Sequence, residues 1–198
     1  MKLNIIHHKA DETIPVKAFI KKRKLIKYFN KETSSSIVCV AQLLKDTTLD
    51  PSTPFYYGMG LIQYEDFGLE NIATLSRDPH THQFSQQNYI EDAMPSVSPL
   101  SQFKVLYNMP LSFVAIEHNL QGDCAVVYAD AHSLVTQAKY APTEHQILIG
   151  ASQVFEDGSV TSGFALINKE ELPSADEALT MQEPIELFYY LEESNNAK

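Results

Sequence analysis

The side chains most able to do chemistry gather in one run, Gly122-Asp-Cys-Ala-Val-Val-Tyr-Ala-Asp-Ala-His-Ser-Leu134. Its apolar half reads as a buried strand over Cys124–Ala129. A helix follows from about His132 to Ala141 and is stopped by Pro142. A sharp turn from strand to helix lifts one side chain into a pocket at the helix N-terminus, where backbone amides favour an anion or thiolate. That place falls to Ala131, whose methyl group cannot attack anything. The neighbours offer little more. Cys124 with His132 would make a nucleophile and a base, but strand geometry points Cys124 into the sheet layers, away from the turn. Asp130 beside His132 suggests an acid–base pair, although a histidine at a helix start is more often simply hydrogen-bonded. Ser133 adjoins the turn with no evident base. His80 and His82 lack the further ligands a metal needs. Gly58-Met-Gly60 lacks the Lys-Ser/Thr of a phosphate loop. A turn shaped to present a nucleophile, presenting none, predicts a protein that assists chemistry carried out by a partner.

The elements that would position this run alternate between strand and helix. Apolar runs predict strands at Leu3–Ile6, Phe55–Gly60, His145–Ala151, Gly163–Ile167 and Glu186–Leu191, besides Cys124–Ala129. His145–Ala151 is apolar on both faces, as a central strand is. Asp157-Gly158 is a turn. Helical spacing of Ile37, Val40, Ala41 and Leu44 predicts a helix over Ser34–Leu44, capped by Thr33 or Ser34. Phe67–Leu75 and part of Leu172–Thr180 are further short helices, and Gln83–Ala93 is helical or irregular. Ser98-Pro99 opens an apolar helix, and Asn108-Met-Pro110 opens a second in which Leu111, Val114, Ala115 and His118 share a face. Asn108 also suits the cap of that second helix. Two nearly all-apolar helices in succession suggest burial against another large surface. The pattern is α/β in one domain over residues 1–198, with 194–198 a solvated tail.

Bulk composition narrows the partners. A formal net charge of −10 over 198 residues argues against nucleic acid and against anionic membranes. A basic stretch of Lys17, Lys21, Lys22, Arg23, Lys24 and Lys27, interleaved with Phe19, Ile20, Leu25 and Ile26, is either a solvated face or a spot for an acidic partner. Cys39 and Cys124 read as reduced core thiols of a cytoplasmic chain. No run is apolar enough to span a membrane, and no export signal is expected.

Ser98-Pro99, Asn108-Met109, Gly122, the strand to Ala129, the turn at Ala131 and the helix with Ser133 resemble the N-terminal half of β-ketoacyl synthases, as does Ile147-Leu-Ile-Gly150. The resemblance covers roughly residues 30–170. It implies a thiolase-like half with a mixed, mostly parallel five-stranded sheet flanked by helices. Two departures follow from it. Ala131 stands where the family carries its catalytic cysteine, and the family's two catalytic histidines fall in a C-terminal half that this chain does not include. The chain therefore resembles the chain-length factors of polyketide and aryl polyene systems, most of all the short subunit of aryl polyene clusters. That implies no cofactor, an active β-ketoacyl-acyl carrier protein synthase as heterodimer partner, and an acyl carrier protein met only indirectly. It also implies a dimer contact through Asn108, Cys124, Val126, Tyr128 and Asp130, with Leu100, Ser101, Phe103 and Tyr107 lining the partner's acyl pocket. The alternatives are a scaffold subunit, or an independent thioesterase or acyltransferase using Cys124 or Ser133.

Overall fold

The computed structural model describes residues 1–59, 69–96 and 106–196. Residues Met1–Leu61 with Tyr107–Lys198 form one compact unit, and Ile62–Leu106 form another.

The larger unit is built on one five-stranded sheet. Its strands are β1 (Lys2–His8), β2 (Phe55–Met59), β3 (Cys124–Tyr128), β4 (Ile147–Val154) and β5 (Val160–Ile167), in the spatial order β1-β5-β4-β2-β3. β2 pairs parallel with β3 and with β4, whereas β5 pairs antiparallel with both β4 and β1. The sheet is therefore mixed as expected, but evenly so and not mostly parallel. The reason is local. Asp157-Gly158 closes a tight hairpin, with Gly158 at φ 78° and its N–H donating to Phe155 O at 2.8 Å, so β5 must return against β4. β2 and β5 are buried along their whole length, and so is β4 up to Ser152. Cover on both faces is what lets their sequences be predominantly apolar, with Ser152, Thr161 and Ser162 as the buried polar exceptions.

One face carries α1 (Lys31–Leu43) and α3 (Met109–His118). The core there joins Ile37, Val40, Phe55, Tyr57, Phe113, Val114, Leu148 and Phe164. The cap of α1 is Asn30, whose Oδ1 accepts from Thr33 N at 2.8 Å, and not Thr33 or Ser34. The serines lie one turn further in and serve the packing. Ser36 Oγ meets Tyr57 Oη at 3.1 Å and Ser152 Oγ at 2.8 Å; Ser162 Oγ meets Ser152 Oγ at 2.6 Å and Ser35 Oγ at 2.7 Å. Small hydroxyl side chains let the helix approach the sheet closely, and each buried oxygen gains a partner. α3 begins at Met109 with Pro110 in its first turn and ends at Asn119, which adopts the left-handed conformation at φ 56°.

The other face carries α4 (Ala131–Lys139), α5 (Ala175–Ala178) and α6 (Glu186–Asn196) over Tyr56, Ile147, Ile149, Ala165 and Ile167. α6 corrects the expected strand at Glu186–Leu191. Aromatic content favoured a strand, but Leu187, Phe188 and Leu191 recur at helical spacing and are all at most 2% exposed. The sheet is shaped to receive the helix: a Cβ on Gly163 would lie 2.4 Å from Phe188 Cγ. The helix also runs through Asn196, so residues 194–196 are not a free tail; 197–198 lie outside the described residues.

In the smaller unit, α2 (Leu69–Leu75) confirms the helix expected near it. Asp78 then organises a turn by accepting from His80 N at 2.9 Å and Thr81 N at 2.8 Å. Short helical turns at Gln86–Asn88 and Met94–Ser96 flank a π-helical turn at Tyr89–Ala93, and Ser85 caps the first.

Candidate functional site

β3 is the last strand of the sheet, and its outer edge has no neighbour among the described residues. Phe55 N donates to Asp123 O at 2.8 Å, which fixes the direction of every backbone group along the strand. Ala125 and Val127 turn their amides and carbonyls toward β2. Cys124, Val126 and Tyr128 turn theirs outward, where they can pair with another strand. The side chains alternate across the sheet instead. Cys124 and Val126 pack on the α1–α3 face, and Ala125 and Val127 pack on the α4 face. Tyr128 is 54% exposed and stands edge-on to Tyr107, with ring centroids 6.1 Å apart. Ile116 on α3 is another exposed apolar side chain.

The turn after β3 is sharper than a plain helix start. Ala129 adopts φ 120°, a region that residues with a Cβ rarely enter. Such backbone costs about 1–3 kcal/mol and concentrates at functional turns. Asp130 follows as the cap of α4, accepting from Ser133 N and Ser133 Oγ, both at 2.8 Å. These bonds hold its carboxyl below the usual carboxylate range, the backbone amide acting most strongly. The side chain at the mouth of the helix is thus a carboxylate bound to its own amides. Ala131 is fully buried beneath it, in the core with Leu134 and Val135. The expectation of an open pocket under the Ala131 methyl is corrected accordingly: the first helical residue faces the interior, and the strained residue is Ala129.

The remaining expected groups separate. Ser133 Oγ is committed to Asp130, and His132 Nδ1 lies 3.2 Å from Ala175 O. The sheet lies between Cys124 and the face that buries Ala131, as strand alternation predicted. Burial pushes the Cys124 thiol up and the Cys39 thiol further up. Asn108 precedes α3 but makes no side-chain cap. Tyr107 is half-buried against the α1–α3 core. Leu100, Ser101, Phe103 and the helix expected from Ser98 lie outside the described residues. Among the described residues no group of three or more His, Cys, Asp or Glu could hold a metal ion, and no helix is long and apolar enough to cross a membrane.

The resemblance gives Asp130 a place at a dimer contact, and the structure shows that it is the cap of α4. The cap has a local signal, since Asp is among the residues preferred immediately before a helical run. Glu117 has no such signal. This buried carboxylate on α3 accepts from Lys21 N at 2.7 Å and Lys22 N at 3.3 Å.

The five-stranded mixed sheet with helices on both faces makes this an α/β fold. The chain superposes on a chain of AntDE:AntF, a type II polyketide synthase acyl-carrier protein in complex with its ketosynthase, with TM-score 0.56 and 10% identity over 83% of this chain. A chain of the ishigamide ketosynthase/chain length factor aligns with TM-score 0.44 and 14% identity over 78%. The chain spans 61% of the first structure's chain and 48% of the second's. No family model matches the sequence, and no curated protein matches it.

Proposed function

We propose that this chain is a non-catalytic, ketosynthase-like subunit. It pairs with an active β-ketoacyl-acyl carrier protein synthase, completes that enzyme's acyl pocket and limits the length of the polyketide or polyene chain grown there, as the aryl polyene chain-length factors it resembles would. The observation that carries this reading is the open edge of β3. Cys124, Val126 and Tyr128 direct their backbone groups out of the sheet, beside the exposed ring of Tyr128 and the half-buried ring of Tyr107. A strand from a partner would satisfy these groups and cover the rings. The helix start next to this edge has a buried methyl group and a self-bonded carboxylate in place of a thiol, which fits a subunit whose partner supplies the nucleophile. The partner also presents the carrier protein. By the resemblance, Leu100, Ser101, Phe103 and Tyr107 would line the pocket wall, and a side chain as small as that of Ser101 would admit a long, rigid chain.

Co-expression with the ketosynthases of the source genome tests the pairing. One of them should co-elute with this chain in size-exclusion chromatography, and in that complex Ser101→Phe should shorten the products. A monodisperse monomer that ignores every ketosynthase refutes the pairing. An intact complex whose product length is unchanged by Ser101→Phe refutes the chain-length role.

A further inference from the structure

The segment Lys17–Lys27 is a strongly basic surface on an acidic protein, and none of the roles above uses it. Six of the chain's fifteen basic side chains lie here, and no acidic residue occurs from Thr13 to Asn30. All six are exposed. The backbone beneath them is held firmly. Val16, Ile20 and Phe29 are buried in the core, and Val16–Ala18 and Arg23–Tyr28 form 3₁₀ turns. Both oxygens of the buried Glu117 carboxylate accept backbone N–H groups, from Lys21 at 2.7 Å and Lys22 at 3.3 Å. Lys22 Nζ donates to Ile116 O at 2.7 Å, and Lys27 Nζ sits 4.8 Å from the centre of the Tyr28 ring. Lys17, Lys21, Arg23 and Lys24 form no ion pair among the described residues. Half-buried Phe19, Leu25 and Ile26 are interleaved with these charges.

We propose that this pinned basic segment docks an acidic protein surface, a helix or loop bearing several carboxylates with apolar side chains between them. Charge complementarity supplies the attraction, and the fixed backbone means that little order has to be imposed on binding. The charge outside the segment decides against the other polyanions. A nucleic acid or an anionic bilayer is extended, and it would continue past the segment over a surface that is acidic overall. A compact acidic protein can end its contact where the basic residues end. The acidic remainder then helps by turning the basic side toward an approaching anionic partner.

The inference does not depend on the proposed function, and its test uses the full chain alone. The probe is a synthetic amphipathic peptide alternating pairs of glutamates with single leucines, titrated calorimetrically at low salt. The expected result is binding that weakens as salt is raised and that falls about tenfold in the triple variant Lys17→Glu, Arg23→Glu, Lys24→Glu, from the loss of three exposed ion pairs. That variant leaves Lys21, Lys22 and Glu117 in place. The triple glutamine variant, with melting temperatures for both, separates loss of charge from loss of fold and should weaken binding less than the glutamate variant. No binding by the unaltered chain, equal binding by the folded triple variants, or equal or tighter binding of phosphatidylserine vesicles or duplex DNA would overturn the proposal.

Discussion

Proline at two adjacent positions of β3 reads the open edge directly. Val127 turns its N–H toward β2, and Val126 turns its N–H outward. Val127→Pro removes a ladder bond worth about 0.5–1.5 kcal/mol net and orphans a buried carbonyl of β2 at about 1–3 kcal/mol, for a total of roughly 2–4 kcal/mol. A chain of this size loses about 2–4 °C of melting temperature for each kcal/mol. Val127→Pro should therefore melt roughly 5–15 °C below the unaltered chain. Val126→Pro removes a donor that no strand among the described residues uses, and proline is tolerated on edges. It loses only part of the contact of one half-buried side chain, about 1 kcal/mol, or a few degrees. In a complex with a ketosynthase the order reverses in importance. Val126→Pro deletes a donor to the partner strand and places a ring in its path, so the folded variant should no longer co-elute with the enzyme. Circular-dichroism melts and size-exclusion chromatography measure both effects. If Val126→Pro is as destabilising as Val127→Pro, the outer edge is not free. If a folded Val126→Pro chain still co-elutes, the partner does not pair with this edge.

Burial sets three further outcomes. His118 has an Nε2 atom that is buried without a hydrogen-bond partner, and desolvation lowers the imidazole below its ordinary value against the opposing pull of Glu117. A histidine whose folded value is depressed contributes stability above its unfolded value of about 6.5 and loses it as pH falls toward the folded value. Melting temperature should therefore drop from pH 7 toward pH 5 in the unaltered chain and drop less in His118→Leu; equal slopes would show that His118 is not the group responsible. Thiol titration should distinguish the two cysteines. Cys124, half-buried at the edge, should react slowly with a disulfide reagent in the folded chain, and Cys39, which is fully buried, should react only after denaturation. Ala131→Cys should add no rapidly reacting thiol, because that position is sealed in the core. A third thiol reacting at the rate of a free peptide would show that the turn opens.

Local sequence patterns determine much of this protein. The apolar runs at residues 55–60, 124–129, 145–151 and 163–167, which overlap β2, β3, β4 and β5, the turn at Asp157-Gly158, the Pro110 helix start and the strand-to-helix turn just before His132 all rest on interactions between residues near in sequence. Periodicity and turn chemistry report such interactions well. Tertiary packing decided the rest. Phe188 lies in a helix because its ring fits over Gly163, a residue 25 positions earlier that no local pattern joins to it. Ser35 and Ser36 are interior because Ser152, Ser162 and Tyr57 come to meet them. The order of strands, and with it the position of β3 at the open edge, depends on which strand finds which across long stretches of chain, as Phe55 finds Cys124 and Leu148. The family resemblance implies a contact through Cys124, Val126 and Tyr128, with Asn108 and Asp130. Only the pairing of β3 with β2 shows that Cys124, Val126 and Tyr128, and not Ala125 or Val127, hold out their backbone groups, because strand alternation acquires a direction only once one neighbour is in place.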